Sequence, residues 1–300
     1  MITVVITTFK REPDMVQRAL NSVLVQTYRD IEIIVVDDSP NDYCFRKEVE
    51  CLVLDNKNRF PEISISYIAH EKNLGACVAR NTGIQVARGE YLAYLDDDDE
   101  WLPEKLEKQY RVMKASDAAL VYCGYFCKND VTGEIKKGHS EYYRGKAFDK
   151  LLYENFIGST SFPLLRTEIV KKVGGFDSQM QSAQDYDLWL RIAENDDIDF
   201  TLEPLVIYHE HGGEQITTTP EKKIAGLERL NEKYKPYLDN NPRLWRRRNI
   251  VIAPYYAANC EMKKALSVWW KSVKHYPTNI VDNLKYLRGI IKQRRKFKGG

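Results

Sequence analysis

Apolar residues follow two alternating patterns over the first hundred positions. Short runs at 2–7 (ITVVIT), 31–36 (IEIIVV), 63–68 (ISISYI) and 91–95 (YLAYL) have the length and the β-branched or aromatic content of strands. Between them, apolar side chains recur at spacings of three and four. Val16, Ala19, Leu20, Val23 and Leu24 mark one face of a helix over 14–26. Further helices are predicted over 43–54 and 76–86, the last opened by Leu74-Gly75 and closed by Gly89. Strand and helix in strict alternation predict a parallel sheet with right-handed crossovers. Strands buried on both faces carry such near-continuous apolar runs.

The pattern then loosens. A helix over 104–115 starts after Pro103, with Glu104 in its first turn. A strand over 118–126 turns at 129–133 into a second one, and a helix over 147–154 follows. Ser159-Thr160-Ser161 precedes a strand at 162–165, and a short helix over 167–173 stops at Gly174-Gly175. A helix over 186–194 carries Leu188, Trp189 and Ile192. A strand over 198–208 ends in His209-Glu210-His211-Gly212-Gly213. An amphipathic helix is expected over 221–235; helices over 255–263 and 265–275, then another after Pro277 to about 292, amount to one helix-turn-helix unit and part of another, too few for an array.

Charge divides this chain in two. Net charge is +2, yet residues 1–219 hold 25 Lys+Arg against 37 Asp+Glu, and residues 220–300 hold 20 against 6. A boundary is expected near Pro220, with an acidic part suited to cations and a basic part (+14) suited to phosphates or anionic lipid. At 43% hydrophobic and 29% charged, the composition is that of a soluble protein with a sizeable core. MITVVITTF lacks the basic region and long apolar centre of a signal peptide, and no apolar run approaches the roughly 18 residues of a membrane span. The expected location is the cytoplasm. Six cysteines form no CxxC pair and no zinc spacing, so reduced core thiols are expected.

The chemistry concentrates where strands end. The run at 91–95 passes abruptly into Asp96-Asp97-Asp98-Asp99-Glu100. Ligands of open α/β sheets bind beyond the carboxyl ends of the strands. Crowded carboxylates repel, and a divalent cation such as Mg²⁺ or Mn²⁺ relieves that repulsion through hard oxygen ligands. Two readings stand: a metal site that also takes an anionic ligand, or a solvated turn that caps the next helix. No G-x-G-x-x-G follows the first strand and no G-x-x-x-x-G-K-[ST] occurs, which disfavours a dinucleotide fold and a P-loop. The other strands end in Thr7-Thr8, Asp37-Asp38 and, just beyond the third, Asn73.

VVITTFKRE, IIVVDDSP, NLGACVARNTGI, YLAYLDDDDEWLP, VGGFD, QDYDLWLR and HEHGG together resemble family 2 glycosyltransferases of the GT-A fold, over about residues 1–215. The resemblance implies an α/β, Rossmann-like, mostly parallel sheet flanked by helices. It makes residues 1–219 the nucleotide-sugar-binding and catalytic domain and residues 220–300 a basic helical extension. It also implies Mn²⁺ or Mg²⁺ as cofactor and inversion at the anomeric carbon. Thr7 and Phe9 match the positions that hold the base, although β-propensity alone also explains Thr7. Asp38 matches the carboxylate that meets the base N–H, and Asp37 is assigned to the loop. Arg80 becomes the counter-charge for donor phosphates or for the acidic run; a helix-surface ion pair is the other reading. Aligned on Trp101 and Pro103, Asp96 and Asp98 are the two carboxylates of the DxD motif. Asp98 is the metal ligand, and Asp96 meets the ribose or reaches the metal through water. Asp97 fills the variable donor-side position and Asp99 orients the others. Asp185 matches the catalytic carboxylate, with Gln184 where Glu is usual; a helix N-cap is its other reading. Trp189 is expected to pack rather than bind sugar. His211 matches a further metal ligand, or is an exposed loop histidine.

The expected reaction moves a sugar, from a UDP-sugar, to a hydroxyl of a surface-glycan or lipid-linked acceptor. Lys285, Arg288, Lys292, Arg294, Arg295, Lys296 and Lys298 among Ile280, Leu284, Leu287, Ile290 and Ile291 suit a helix lying on anionic lipid at the inner membrane face, or a solvated basic tail. A sugar nucleotidyltransferase is one rival, with Lys10-Arg11 as its faint basic signal after the first strand. A non-catalytic sugar-nucleotide-binding scaffold is another. Nucleic-acid binding through Arg246-Arg247-Arg248 lacks an aromatic stacking platform and is not expected.

Overall fold

A computed structural model describes residues 1–139, 141–210, 219–275, 277 and 279–298. The described residues form two compact units. One comprises Met1–Leu151, Asn155–Ser178 and Leu188–Gly212; the other comprises Leu152–Glu154, Gln179–Asp187 and Gly213–Gly300.

The first unit opens with β1 (Ile2–Thr8), α1 (Pro13–Leu24), β2 (Ile31–Asp37), α2 (Arg46–Arg59), β3 (Ser64–Ala69), α3 (Ala76–Val86) and β4 (Tyr91–Asp96). These four strands lie parallel in the order β3-β2-β1-β4, as the alternation predicts. Their register levels the functional edge: Thr7 stands beside Asp96 on one side and Val36 on the other, and Thr8 beside Asp37. α3 lies hard on β1 because position 83 is glycine. A Cβ there would come within 2.5 Å of Val5 Cγ1, closer than real contacts allow.

The chain continues through β5 (Glu100–Trp101), α4 (Lys105–Ala115), β6 (Leu120–Asn129), β7 (Ile135–Lys137), α5 (Phe148–Tyr153), β8 (Leu164–Arg166), α6 (Thr167–Lys172), α7 (Gln184–Ala193) and β9 (Ile198–Glu210). The sheet order is β3-β2-β1-β4-β8-β6-β9-β5, with β7 beside β6. This half is mixed. β8 runs antiparallel to both β4 and β6, β9 runs parallel to β6, and β5 turns back against β9. Side chains from β1, β2, β4, β6, β9, α1 and α4 share one core.

Two buried charges in this unit give stability predictions. At the amino edge of the sheet, Thr3 Oγ1 donates to Glu32 Oε1 (2.5 Å) and accepts the Gly89 N–H (2.8 Å). Glu32 also accepts the Arg88 N–H (2.7 Å) and Arg88 Nε (2.7 Å). Burial alone would raise the Glu32 pKa, but the bonds from Thr3 and Arg88 outweigh it and hold the carboxyl below its usual range. A depressed folded pKa contributes stability above the unfolded value, lost as pH falls through the folded one. Glu32→Ala is expected to cost about 2–3 kcal/mol at neutral pH, and less in acid, by denaturant titration. An equal cost at acid and neutral pH would contradict this.

Lys105 is fully buried in α4. Its Nζ donates to Gln109 Oε1 (2.8 Å) and stands 4.0 Å from the Trp101 ring centroid, and no carboxylate among the described residues pairs with it. Burial pulls its pKa down to about 8. Folding therefore penalises the ammonium fully below pH 8, and the penalty fades between the folded value and the ordinary one near 10.5. Relative to Lys105→Met, the protein should gain up to about 3 kcal/mol as pH rises across that window. A pH-independent difference between the two would contradict it.

The second unit holds α8 (Pro220–Lys233), α9 (Lys235–Asp239), α10 (Pro242–Ile250), α11 (Ala253–Ala258), α12 (Met262–His275) and α13 (Ile280–Lys298). Ile224, Ile252, Ala253, Tyr256, Ala257, Ala265 and Ile290 form its small core. The helix expected over 255–263 is instead the shorter α11, ended before Cys260, which has φ 60°. The helices α9 and α10 were not expected. α10 is N-capped by Asn241, whose side chain accepts the Leu244 N–H (3.0 Å). Arg246 bonds Ser272 Oγ (3.0 Å) and Asn283 Oδ1 (2.9 Å), Arg247 pairs with Glu154, and Arg248 bonds Asn231 Oδ1 (3.1 Å) and lies over the Tyr186 ring. All three arginines are thus bonded within the unit.

Of the cysteines expected in the core, only Cys77 and Cys123 are buried; Cys44, Cys51 and Cys260 are exposed, and all six are free. Among the described residues no helix is long and apolar enough to cross a membrane.

Candidate active site

The acidic run is a tight turn between β4 and β5, closed by a bond from the Asp99 N–H to Asp96 O (3.1 Å). Trp101 anchors its far side: the ring is buried and its Nε1 donates to Ser161 O (2.9 Å). Asp96 is gripped from both sides. Arg80 Nη2 of α3 donates to Oδ1 (2.8 Å), while Thr160 Oγ1 (2.8 Å) and Ser159 Oγ (3.3 Å) donate to Oδ2. Burial alone would raise its pKa, yet Arg80 and the hydroxyls hold it below the usual range.

The neighbouring aspartates meet another guanidinium. Arg11, in the loop after β1, donates from Nε to Asp97 Oδ1 (2.9 Å) and from Nη2 to Asp98 Oδ2 (2.9 Å). Arg18 Nη2 of α1 reaches Asp98 O (3.0 Å), and its Nε stands 3.7 Å from Glu100 Oε1. Burial, with repulsion from Asp98 added and Arg11 opposing, pushes Asp97 up to about 6. Burial and repulsion from Asp96 and Asp98 push Asp99 well above the usual range. Asp99 Oδ2 is buried without a hydrogen-bond partner among the described residues.

Arg11 and Arg80 thus pair with three of the four aspartates, and Arg18 stands beside the same turn. The carboxylates are the hard oxygen donors that Mg²⁺ and Mn²⁺ prefer. Among the described residues no group of three or more His, Cys, Asp or Glu side chains is already arranged around an ion position. Asp96 and Asp98 are the more open carboxylates, at 26% and 19% side-chain exposure against 7% for Asp97.

The other sequence-derived residues of this unit lie along the same strand ends. Thr7 is half-buried at the end of β1, and Phe9 is 40% exposed two residues on. Asp37 accepts the Ser39 N–H (2.8 Å) and the Tyr67 hydroxyl (2.7 Å). Asp38 is buried and engaged as well. It meets His70 Nδ1 (2.7 Å) and accepts the Leu74 and Gly75 N–H groups (2.8 Å each). Gly75, at φ 92°, takes a conformation that strains a side-chain-bearing residue, and so brings its N–H onto that carboxylate. Asn73 Oδ1 accepts the same N–H (2.9 Å).

Asp185 belongs to the second unit, in the first turn of α7 rather than at its N-cap. Its Oδ1 accepts the Tyr186 N–H (2.8 Å). Lys223 of α8 is close enough for the two charges to interact: burial lowers the lysine pKa and Asp185 raises it again. Asp187 is buried and bonds Lys233 Nζ (2.6 Å). Trp189 is fully buried and donates to Gly158 O (3.1 Å), so it packs. His211 lies outside the described residues. His209 is inaccessible, its Nδ1 2.6 Å from Asp130 Oδ1 and its Nε2 2.7 Å from Glu100 Oε1.

Sequence reasoning did not assign Arg11, Arg18, Ser159, Thr160, His70 or Lys223 to this chemistry. The available signals were the hydroxyl cluster of residues 159–161 directly before a strand and, for Arg11, the Lys10-Arg11 pair after the first strand, read only as the mark of a rival function.

A mixed α/β sheet with flanking helices and an acidic turn at its carboxyl edge defines the GT-A fold. The chain belongs to glycosyl transferase family 2, whose profile matches residues 3–174. It is 31% identical over 247 residues to a putative colanic acid biosynthesis glycosyl transferase, WcaA, of Escherichia coli, covering 80% of this chain and 83% of that one. It is 28% identical over 200 residues to the E. coli UDP-Glc:alpha-D-GlcNAc-diphosphoundecaprenol beta-1,3-glucosyltransferase WfgD, covering 66% of this chain and 72% of that one. An uncharacterized glycosyltransferase of Methanocaldococcus jannaschii is 29% identical, and the match spans 66% of its length. Residues 1–349 of S. aureus TarS, solved in complex with UDP-GlcNAc, superpose with a TM-score of 0.60 at 17% identity, over 92% of this chain and 89% of that one; this likeness is one of fold. Against a longer TarS chain, 55% of that chain is covered.

Proposed function

We propose that the chain is an inverting, metal-dependent glycosyltransferase. It moves one sugar from a UDP-sugar to a hydroxyl of a surface-glycan or lipid-linked saccharide, working from the cytoplasmic side. The observation that carries this reading is the turn of clustered aspartates at the carboxyl end of β4, in a chain of this family. UDP-sugar as donor is supported by the UDP-Glc that WfgD is named for and by the TarS complex, and a lipid-linked acceptor by the diphosphoundecaprenol in the name of WfgD.

In this reading Asp98 and Asp96 hold Mn²⁺ or Mg²⁺, with His211 as a further ligand. Bound there, the cation would supply positive charge to offset that on the departing nucleoside diphosphate. Arg80 fixes Asp96 and adds positive charge near the donor, and Asp97 lines the donor side. Thr7 and Phe9 bracket the base. Asp38 has three of about four lone-pair positions engaged, leaving one on Oδ2 for a base N–H. Asp185 takes the proton of the acceptor hydroxyl as that oxygen attacks the anomeric carbon and the bond to the phosphate oxygen breaks.

The test is the identity of the released product. Incubation with UDP-sugars and a lipid-linked acceptor pool should release UDP in step with glycosylated acceptor. Release of pyrophosphate would instead indicate a nucleotidyltransferase. Binding of UDP-sugar without turnover of any donor would indicate a scaffold.

A further inference from the structure

We propose that the second unit docks on an anionic lipid bilayer through one outward stripe on each of α12 and α13. On α12, Leu266 and Trp270 are one turn apart and both exposed, Trp270 at 54%. On α13, Ile280, Leu284 and Ile291 recur at helical spacing with Val281 beside them, and all four are exposed. These residues do not hold the unit together. Its core draws on other faces of the same helices, through Ala265 and Ile290, and the indole N–H of Trp269 ties α12 to α13 at Asn283 O (2.8 Å).

The borders of the stripes name the partner. Lys263 and Lys274 flank Trp270 on α12, and Lys274 Nζ stands 5.9 Å from its ring centroid. Lys285, Arg288 and Lys292 lie next around α13 from its apolar stripe, and all three are exposed. None of these five cations forms an ion pair among the described residues. The acidic side chains nearest in sequence are engaged: Glu261 with Lys264, and Asp282 with Asn279 Nδ2 (2.8 Å). An apolar stripe with tryptophan, bordered by uncompensated cations, matches the boundary between acyl chains and anionic headgroups. A soluble partner would have to supply an apolar ridge edged with carboxylates at matching positions, whereas a bilayer supplies both features everywhere. The surplus of 20 Lys+Arg over 6 Asp+Glu in residues 220–300 adds long-range attraction of the same sign.

This inference stands apart from the transfer reaction, because its test needs neither donor nor acceptor. The full chain is floated with phosphatidylcholine vesicles, with and without about one third phosphatidylglycerol, at low and high salt. Expected is at least about tenfold stronger partition to the anionic vesicles, reduced by high salt. Trp270→Ser with Leu284→Ser should weaken that partition about tenfold at low salt. Lys285→Glu with Arg288→Glu and Lys292→Glu should abolish the preference for phosphatidylglycerol. Melting curves run beside each variant, and single Trp270→Ser replaces the pair if the pair melts early. Three results would overturn the proposal: no flotation, equal flotation with neutral vesicles, or full anionic binding by variants that melt normally. So would a concentration-dependent dimer that Trp270→Ser dissociates, with vesicle binding unchanged, since a second copy would then cover the stripe.

Discussion

Asp185→Asn is expected to lower transfer by at least about 1,000-fold while UDP affinity stays within about twofold. The amide is close in size and keeps an oxygen to accept the Tyr186 N–H that now bonds Oδ1 at 2.8 Å. The first turn of α7 should therefore survive. What the amide cannot do is take a proton from the incoming hydroxyl. The loss should fall on kcat, not on donor binding, which separates a base from a residue that shapes the fold. Lys223 bears on the same point, because Asp185 is the charge that counters the effect of burial on that lysine. Losing the carboxylate should favour the neutral amine, a change that the proton titration of the lysine would report. Turnover of Asp185→Asn near that of the unaltered chain would mean that another group takes the proton.

Asp98→Ala should remove the dependence of UDP binding on Mn²⁺, with affinity in the presence of the ion falling at least about 100-fold. Asp98 is one of the two more open carboxylates of the turn, and one of its oxygens now faces Arg11. The bidentate hold of Arg11 on Asp97 and Asp98 makes it the ion's competitor. Arg11→Met should then bind Mn²⁺ about tenfold more tightly before any nucleotide is added, because one cation no longer screens the run. Mn²⁺ titration followed by electron paramagnetic resonance reads both variants. Equal affinity for Mn²⁺ in Asp98→Ala and the unaltered chain would remove Asp98 from the ion site.

Much of the first half of the fold could be read directly from local pattern. β1, β2 and β4 are continuous apolar runs because both faces of each are covered, and α3 was expected over the residues it occupies. Most elements of the second half were expected too, β8 among them as a strand at 162–165, but their arrangement was not: the antiparallel place of β8 between β4 and β6 depends on partners more than 40 positions away. α10 lacks a clean apolar stripe because Arg246 and Arg248 bond inward, where polarity suggests solvent. The acidic turn was visible as a change from apolar to charged at a strand end. Its counter-charge was harder to see: Arg11 is 86 and 87 positions from the aspartates it binds, and only the parallel pairing of β1 with β4 brings them together. Ser159 and Thr160 were read as a lead-in to a strand, and their grip on Asp96 appears only in three dimensions.

The most direct measurement follows the melting temperature of the full chain with UDP, CDP, GDP and ADP, each with Mn²⁺ or with EDTA. A ligand at about 100 times its Kd stabilises the folded state by roughly 2.7 kcal/mol, which corresponds to a shift of several degrees. UDP with Mn²⁺ should give the largest shift, and EDTA should erase it. A chain unmoved by every nucleoside diphosphate, or moved as far with the ion chelated, would show that the clustered aspartates do not hold a diphosphate through a metal.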